Sequence, residues 1–277
     1  MPAGFFMPEL PEVETTRRGI EPAVAGRRVE KVIVREQRLR WPIPRELPHE
    51  LPGRVFDQVG RRGKYLLLGT GDRSLIIHLG MSGRLSVVTE DLAPTRHDHL
   101  DILLAGGNRL RLNDPRRFGS VFWWAGDPLN HPRLAGLGPE PLSGHFTPQY
   151  LYTMARGRRA PVKAFLMDAR VVVGAGNIYA TEALFMAGIH PRRPAGRIAL
   201  TRYAELHAAL RAVLKDAITR GGTTLRDYVG ADGRPGFFQL DLRAYGRTGE
   251  PCKRCGHTLR TERIGQRASV FCPRCQR

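Results

Sequence analysis

Cys252-Lys253-Arg254-Cys255 and Cys272-Pro273-Arg274-Cys275 hold all four cysteines of this chain, and both lie in its last 26 residues. Two CxxC knuckles 16 residues apart suit a tetrahedral site of four thiolates. Each tight turn supplies two ligands, and the stretch between them forms a short hairpin. The spacing therefore predicts one zinc ion on Cys252, Cys255, Cys272 and Cys275, in a structural role because four protein ligands leave no position open to water. What the ribbon presents is arginine: Arg254, Arg260, Arg263, Arg267, Arg274 and Arg277 share the segment with Lys253.

Working outward, the 277 residues carry 44 Lys and Arg against 26 Asp and Glu, a formal net charge of +18. Such an excess points to a polyanionic partner, since cationic side chains gain affinity by releasing counterions from phosphates. Only Lys31, Lys64, Lys163, Lys215 and Lys253 are lysines. That skew reads as genome composition, which exchanges Lys for Arg without creating charge. No apolar run reaches the ~20 residues of a membrane span, and the stretch before Met7 is too short and uncharged for a signal peptide. Cysteines confined to a metal motif suit a reducing compartment. A soluble, cytoplasmic, monomeric protein is expected.

A helix is predicted from Pro11, with proline in the first turn, Glu12 and Glu14 at the positive end of the dipole, and Arg17 and Arg18 further along. Short β-rich runs follow at Val29–Arg35, Arg54–Val59, Lys64–Gly69, Ser74–Leu79, Arg84–Val88, His99–Leu104 and Ser120–Trp124, separated by glycine-bearing turns. That spacing predicts an antiparallel sandwich or barrel. Between Gly126 and Gly144 the chain is rich in Pro and Gly without a sustained period, as at a domain boundary. Beyond it the period is helical, most clearly over Thr201–Arg220, where Leu206, Ala209, Leu210, Val213, Leu214, Ala217 and Ile218 form one stripe ended by Gly221-Gly222.

Three motifs need weighing. Val171 to Ala180 matches a strand followed by GxGxxA, a dinucleotide fingerprint, yet no acid lies near the position twenty residues on and no alternating β-α units follow. A nucleotide cofactor is therefore not expected, although a glycine turn opening the Asn177 helix still offers backbone N–H groups to a phosphate. His97, His99 and Asp101 share one face of a strand, but satisfied or phosphate-binding histidines are expected there in preference to a metal. Asp114-Pro115-Arg116-Arg117-Phe118-Gly119 sets two cations beside an aromatic: a solvated loop in most proteins, a wedge entering the base stack in one that binds DNA.

Met7-Pro8-Glu9-Leu10-Pro11-Glu12-Val13-Glu14-Thr15, Arg62-Gly63-Lys64-Tyr65, His78-Leu79-Gly80-Met81-Ser82-Gly83, Asp114 to Gly119, Gly174-x-Gly176-Asn177-Ile178-Tyr179-Ala180 and Gln266-Arg267-Ala268 occur in that order. Together they resemble the formamidopyrimidine-DNA glycosylases, over nearly the whole chain. The resemblance implies an α+β architecture: an N-terminal antiparallel β-sandwich with flanking helices (7–130), a helix-two-turn-helix domain with a lesion-capping loop (131–240) and a C-terminal zinc ribbon (241–277), residues 1–6 being an extension or a misassigned start. It implies a bifunctional glycosylase and AP lyase that removes oxidised purines, such as 8-oxoguanine and formamidopyrimidines, from double-stranded DNA lying between the first domain and the others.

Residue by residue, the resemblance makes Pro8 the amine nucleophile, Glu9 the general acid/base, Lys64 the proton donor for β-elimination and Arg267 the donor for δ-elimination. A secondary amine condensing at C1′ gives an iminium cation directly, and an α-amine near pKa ~8 is far more deprotonated at neutral pH than a lysine at ~10.4. Arginine is nearly always protonated, so Arg267 reads first as a phosphate clamp. Met81, Arg116 and Phe118 would fill the gap left by an everted base, while His97, Arg158, Lys163 and Asn177 would hold phosphates. The loop Thr223–Gln239 would close over the base. Taken alone, Glu9 reads as a helix-capping acid, Lys64 as an exposed hairpin lysine and Met81 as core.

One departure bears on the chemistry. Pro8 follows seven residues, and an internal proline nitrogen is an amide without a nucleophilic lone pair. Synthesis starting at Met7 resolves this; Pro2 as the amine lacks an adjacent acid because Ala3 follows it, and proteolysis after Met7 is a third route. Two rival functions stand beside the main one. Leu10-Pro11 after Glu9 disfavours an endonuclease-VIII-like preference for oxidised pyrimidines, and a blocked Pro8 would leave a non-catalytic zinc-ribbon binder of nucleic acid.

Overall fold

The structure is a computed structural model that describes residues 8–89, 91–221 and 242–277. Thr223–Gln239, expected to cap the lesion, and the residues up to Met7 lie outside them. Two compact units emerge, one over residues up to 135, the other over 136–220 and the C-terminal segment.

The first unit opens with α1 (Leu10–Val24), which starts one residue ahead of Pro11 because Glu9 and Glu12 close a reciprocal capping box: Glu9 accepts from the Glu12 N–H, and Glu12 accepts from the Glu9 N–H at 2.9 Å. Eight strands follow: β1 (Val29–Val34), β2 (Gln58–Arg62), β3 (Tyr65–Gly69), β4 (Arg73–His78), β5 (Arg84–Thr89), β6 (Asp98–Leu104), β7 (Asn108–Asn113) and β8 (Ser120–Ala125), with the short α2 (Leu47–Glu50) after β1. They form two antiparallel four-stranded sheets, ordered β1-β6-β7-β5 and β2-β3-β4-β8. Side chains of both sheets meet Val13, Ile20 and Val24 of α1 in one core. Of sandwich and barrel, the sandwich forms.

Two strands differ from expectation. The run Arg54–Val59 becomes a strand only at Gln58; its first half makes an isolated bridge, Arg28 to Val55, and buries Phe56 completely. Asn108–Asn113 was not expected as a strand, yet it is β7, where Leu110 and Leu112 face the core while the buried Arg109 and Arg111 both donate to Asp101.

The second unit contains α3 (Pro148–Ala155), α4 (Val162–Met167), α5 (Asn177–Met186), α6 (Leu200–Thr219) and the ribbon hairpin of β9 (Arg260–Ile264) and β10 (Arg267–Phe271). The predicted stripe buries Leu206, Ala209, Leu210, Leu214 and Ala217 of α6, and Gly221 at φ +82° ends the helix. Val171–Val173 is buried but belongs to no strand, and among the described residues no parallel sheet surrounds it. The dinucleotide reading fails there for want of its fold. Phe185 of α5 packs with Cys252, Leu259, Val270 and Cys272, seating the ribbon on the helices.

Candidate active site and metal centre

Pro8 is buried and immediately precedes the N-cap of α1. Glu9 is 3% exposed, and its cap role coexists with its position beside the proline nitrogen. One turn further on, Glu14 collects Arg17, Arg18 and Arg61 at 3.1, 2.8 and 3.0 Å. Burial pulls its carboxyl upward, but these hydrogen bonds outweigh it and hold it down at about 2. Arg61 also donates to the Gly63 carbonyl at 2.9 Å, so α1 is tied to the hairpin whose tip is Gly63-Lys64. Gly63, at φ +56°, allows the two-residue turn, and Lys64 sits on it half-buried.

His78, opposite Tyr65 in the β3–β4 ladder, packs against that ring tilted by 52°, with 4.7 Å between centroids. Burial, then the charges of Lys64 and Arg40, push its pKa down to about 4, so it is neutral at physiological pH. Its Nδ1 accepts from the Gly80 N–H at 3.0 Å, which leaves the ring proton on Nε2. Sequence reasoning gave His78 no role; its burial beside Lys64 depends on strand pairing, which spacing alone does not show.

Met81 lies in the β4–β5 loop and Arg116 and Phe118 in the β7–β8 loop, and these two loops touch. Phe118 is 42% exposed, with the Arg116 guanidinium 4.9 Å from its ring centre. His97 is half-buried. His99 is buried and donates from Nε2 to the Asp114 carbonyl at 2.8 Å. Asp101, fully buried, is occupied by Arg35, Arg109 and Arg111. With its carboxylate spent on three guanidiniums, Asp101 cannot join His97 and His99 around a metal.

In the second unit Asn177 opens α5 behind Gly174 and Gly176, and its Oδ1 is buried with no hydrogen-bond partner among the described residues. Arg158 is exposed and lies 5.5 Å over Phe165 and 4.0 Å from Asp168. Lys163, expected as a phosphate contact, is bonded within the fold. It is 1% exposed, and its Nζ donates to the Ala268 carbonyl at 3.0 Å and to Ser269 Oγ at 2.9 Å. The amine is spent on β10. Arg267, first residue of that strand, pairs through its backbone with Ile264 of β9 and is exposed. The Gly265-Gln266 turn, with Gly265 at φ +59°, holds it at the tip of the hairpin.

The four cysteine Sγ atoms lie within 4.8 Å of one another, Cys252 to Cys275 at 4.0 Å and Cys255 to Cys272 at 3.6 Å. Zinc–sulfur bonds of about 2.3 Å in a tetrahedron need sulfurs just under ~4 Å apart, so the set fits one zinc ion. Backbone N–H groups of Arg254 and Cys275 reach Cys252 Sγ and Cys272 Sγ at 3.4 Å each, the support a thiolate needs. Among the described residues no other group of this kind could hold a metal.

A proline followed by a buried acid at the head of α1 and a lysine-tipped hairpin tied to the same helix in the first unit, with an arginine-tipped four-cysteine ribbon in the second, place the chain among zinc-ribbon proteins. Family models match along the chain: the formamidopyrimidine-DNA glycosylase N-terminal domain over residues 7–121, its H2TH domain over 137–229, and the zinc finger found in FPG and IleRS over 249–277. The formamidopyrimidine-DNA glycosylase of Nitrosococcus oceani is 58% identical over 270 residues, covering 98% of this chain and all of its own. That of Pseudomonas aeruginosa is 59% identical over 271 residues with the same coverage. Among solved structures, Lactococcus lactis Fpg in complex with DNA containing an abasic site superposes with a TM-score of 0.90 at 33% identity, covering 98% of this chain and 100% of that one. MutM (Fpg) of Thermus thermophilus gives 0.86 at 40% identity, covering 97% and 98%. The chain belongs to the formamidopyrimidine-DNA glycosylase family and is a DNA glycosylase.

Proposed function

We propose that the chain excises oxidised purines, 8-oxoguanine and formamidopyrimidines among them, from duplex DNA and then cleaves the strand at the resulting abasic site. The observation that carries this is the pairing of Pro8 with the buried Glu9 at the head of a helix which Glu14 and Arg61 tie to the Lys64 hairpin. In the reaction the Pro8 amine attacks C1′ as the bond to the base breaks, and Glu9 exchanges the proton needed to open the sugar. The iminium so formed acidifies C2′; loss of that proton expels the 3′ phosphate, with Lys64 as proton donor. A second elimination, at the 5′ side, involves Arg267. Arg116, Phe118 and Met81 occupy the gap left by the everted base, and His97, Arg158 and Asn177 hold backbone phosphates. Lys163 acts one step removed, by fixing the strand that carries Arg267. The zinc ion on Cys252, Cys255, Cys272 and Cys275 holds the ribbon in shape and takes no part in bond making. Domains at 7–130, 131–240 and 241–277, a monomeric state and a bacterial cytoplasmic setting complete the reading.

The chemistry requires a free amine at Pro8, so the active form begins at that residue. The family model's match from residue 7 and the presence of Met7 before Pro8 support a start at Met7 followed by its removal. The test combines intact mass with borohydride reduction on a duplex containing 8-oxoguanine. A protein beginning at Pro8 should give a covalent DNA adduct, and a form that retains the residues before Pro8 should give none. An adduct formed at a lysine, or none with Pro8 exposed, would remove Pro8 from the mechanism. Comparing 8-oxoguanine opposite C with thymine glycol duplexes checks the choice of base.

A further inference from the structure

The two loops that carry Met81 and Arg116-Arg117-Phe118 share a buried carboxylate that neither loop presents to solvent. Asp114 is fully buried. Its Oδ1 accepts from Ser82 Oγ, the residue after Met81, at 2.5 Å, and its Oδ2 accepts from the Gly119 N–H, the residue after Phe118, at 2.7 Å. Ser82 Oγ in turn accepts from the Arg116 N–H at 3.1 Å. The backbone of Asp114 is itself fixed, its N–H donating to the His97 carbonyl at 3.0 Å and its carbonyl accepting from His99. The loops approach so closely that a Cβ on Gly80 would stand 2.3 Å from the Phe118 carbonyl carbon, and Gly80 has φ +65°. Arg117 is the one non-glycine residue with positive φ among the described residues, at 56°. A conformation that costs an L-residue roughly 1 kcal/mol or more persists only where its surroundings impose it; here Asp114 binds on one side, and Glu36, 3.2 Å from Arg117 Nη1, on the other.

We propose that Ser82 and Asp114 are positioning residues for base eversion: the Ser82–Asp114–Gly119 link, closed by the Arg116 N–H, locks the Met81 loop and the Arg116–Phe118 loop into one rigid wedge before DNA arrives. This rests on the role given above to those three side chains. The physical reason is entropic. Two loops ordered separately on binding each lose conformational freedom at the moment the base must leave the stack, whereas a preassembled wedge has already lost it in folding. A charge-assisted hydrogen bond to a buried carboxylate is among the stronger links available, and removing its donor leaves an acceptor without its partner.

Ser82→Ala deletes the inter-loop link and keeps the Asp114–Gly119 bond; Ser82→Thr restores the hydroxyl. Each is compared with the parent chain, started at Pro8 and loaded with zinc. The measurements are single-turnover excision of 8-oxoguanine, fluorescence of a 2-aminopurine placed beside the lesion, and cleavage of a preformed abasic site, which has no base to evert. Ser82→Ala should slow excision and the fluorescence rise by about tenfold, leave abasic-site cleavage within about twofold, and be rescued by Ser82→Thr. Excision unchanged in Ser82→Ala, or excision and abasic cleavage falling together, would overturn the proposal. A parent protein that cleaves neither substrate would instead sink the functional reading on which the proposal rests.

Discussion

At the scale of a residue, His78 shows how burial sets protonation. A histidine in the unfolded chain titrates near ~6.5, while in the fold burial and then the charges of Lys64 and Arg40 push it down to about 4. Above the unfolded value both states are neutral and the fold loses nothing. As pH falls through that value the unfolded chain takes up a proton that the folded chain refuses until about pH 4, so stability is lost across this window by an amount on the order of 3 kcal/mol. His131, His190 and His207 are pushed the same way by burial, so the whole protein should lose more. His78→Gln keeps an acceptor for the Gly80 N–H and removes one titrating group. Urea unfolding at pH 7 and pH 5 should therefore show a smaller loss in the variant, and parallel losses would clear His78. Glu9, Lys64 and Arg267 were legible as candidates because their motifs are contiguous. His78 was not, since its proximity to Lys64 arises only when β3 pairs with β4.

Among elements, the ribbon and the helices behind it depend on one another. Cys252 and Cys272 share a core with Phe185 of α5, and Lys163 of α4 holds Ala268 and Ser269 of β10. Cys255→Ser should release the zinc, lower the melting temperature and reduce duplex affinity, because the ribbon's own apolar surface is too small to hold its shape without metal. Lys163→Met should act differently: zinc content is kept, about 2 kcal/mol of stability is lost from two acceptors left without the amine, and the product mixture shifts from δ- toward β-elimination as Arg267's strand loosens. Zinc titration, thermal melts and product gels on the same two variants separate these outcomes. The α6 stripe and the Cys ribbon were readable because period and spacing are local signals. β7 escaped because Arg109 and Arg111 look like a solvated loop until Asp101 is placed across the ladder from Arg111. The bonds of Lys163 to β10 were hidden for a similar reason: these partners lie more than a hundred positions further along the chain.

For the molecule as a whole, the formal charge of +18 overstates what DNA can meet. Arg17 and Arg61 are engaged by Glu14, and Arg35, Arg109 and Arg111 surround Asp101; these cations are already paired within the protein. The apparent DNA association constant should fall with salt concentration on a log–log plot with a slope much shallower than the roughly −16 that eighteen phosphate contacts would give. Individual side chains then contribute according to where they point. Arg267→Ala should weaken binding to duplexes of any sequence and flatten the slope by about 1, the mark of one phosphate contact removed. Lys163→Met, compared as folded protein with zinc bound, should leave the slope where it is, because its amine is bonded to β10 and releases no counterion. Nitrocellulose binding over a range of salt on the parent and both variants decides the matter. Equal flattening by the two substitutions would make Lys163 a phosphate ligand after all and would require its bonds to β10 to open when DNA binds.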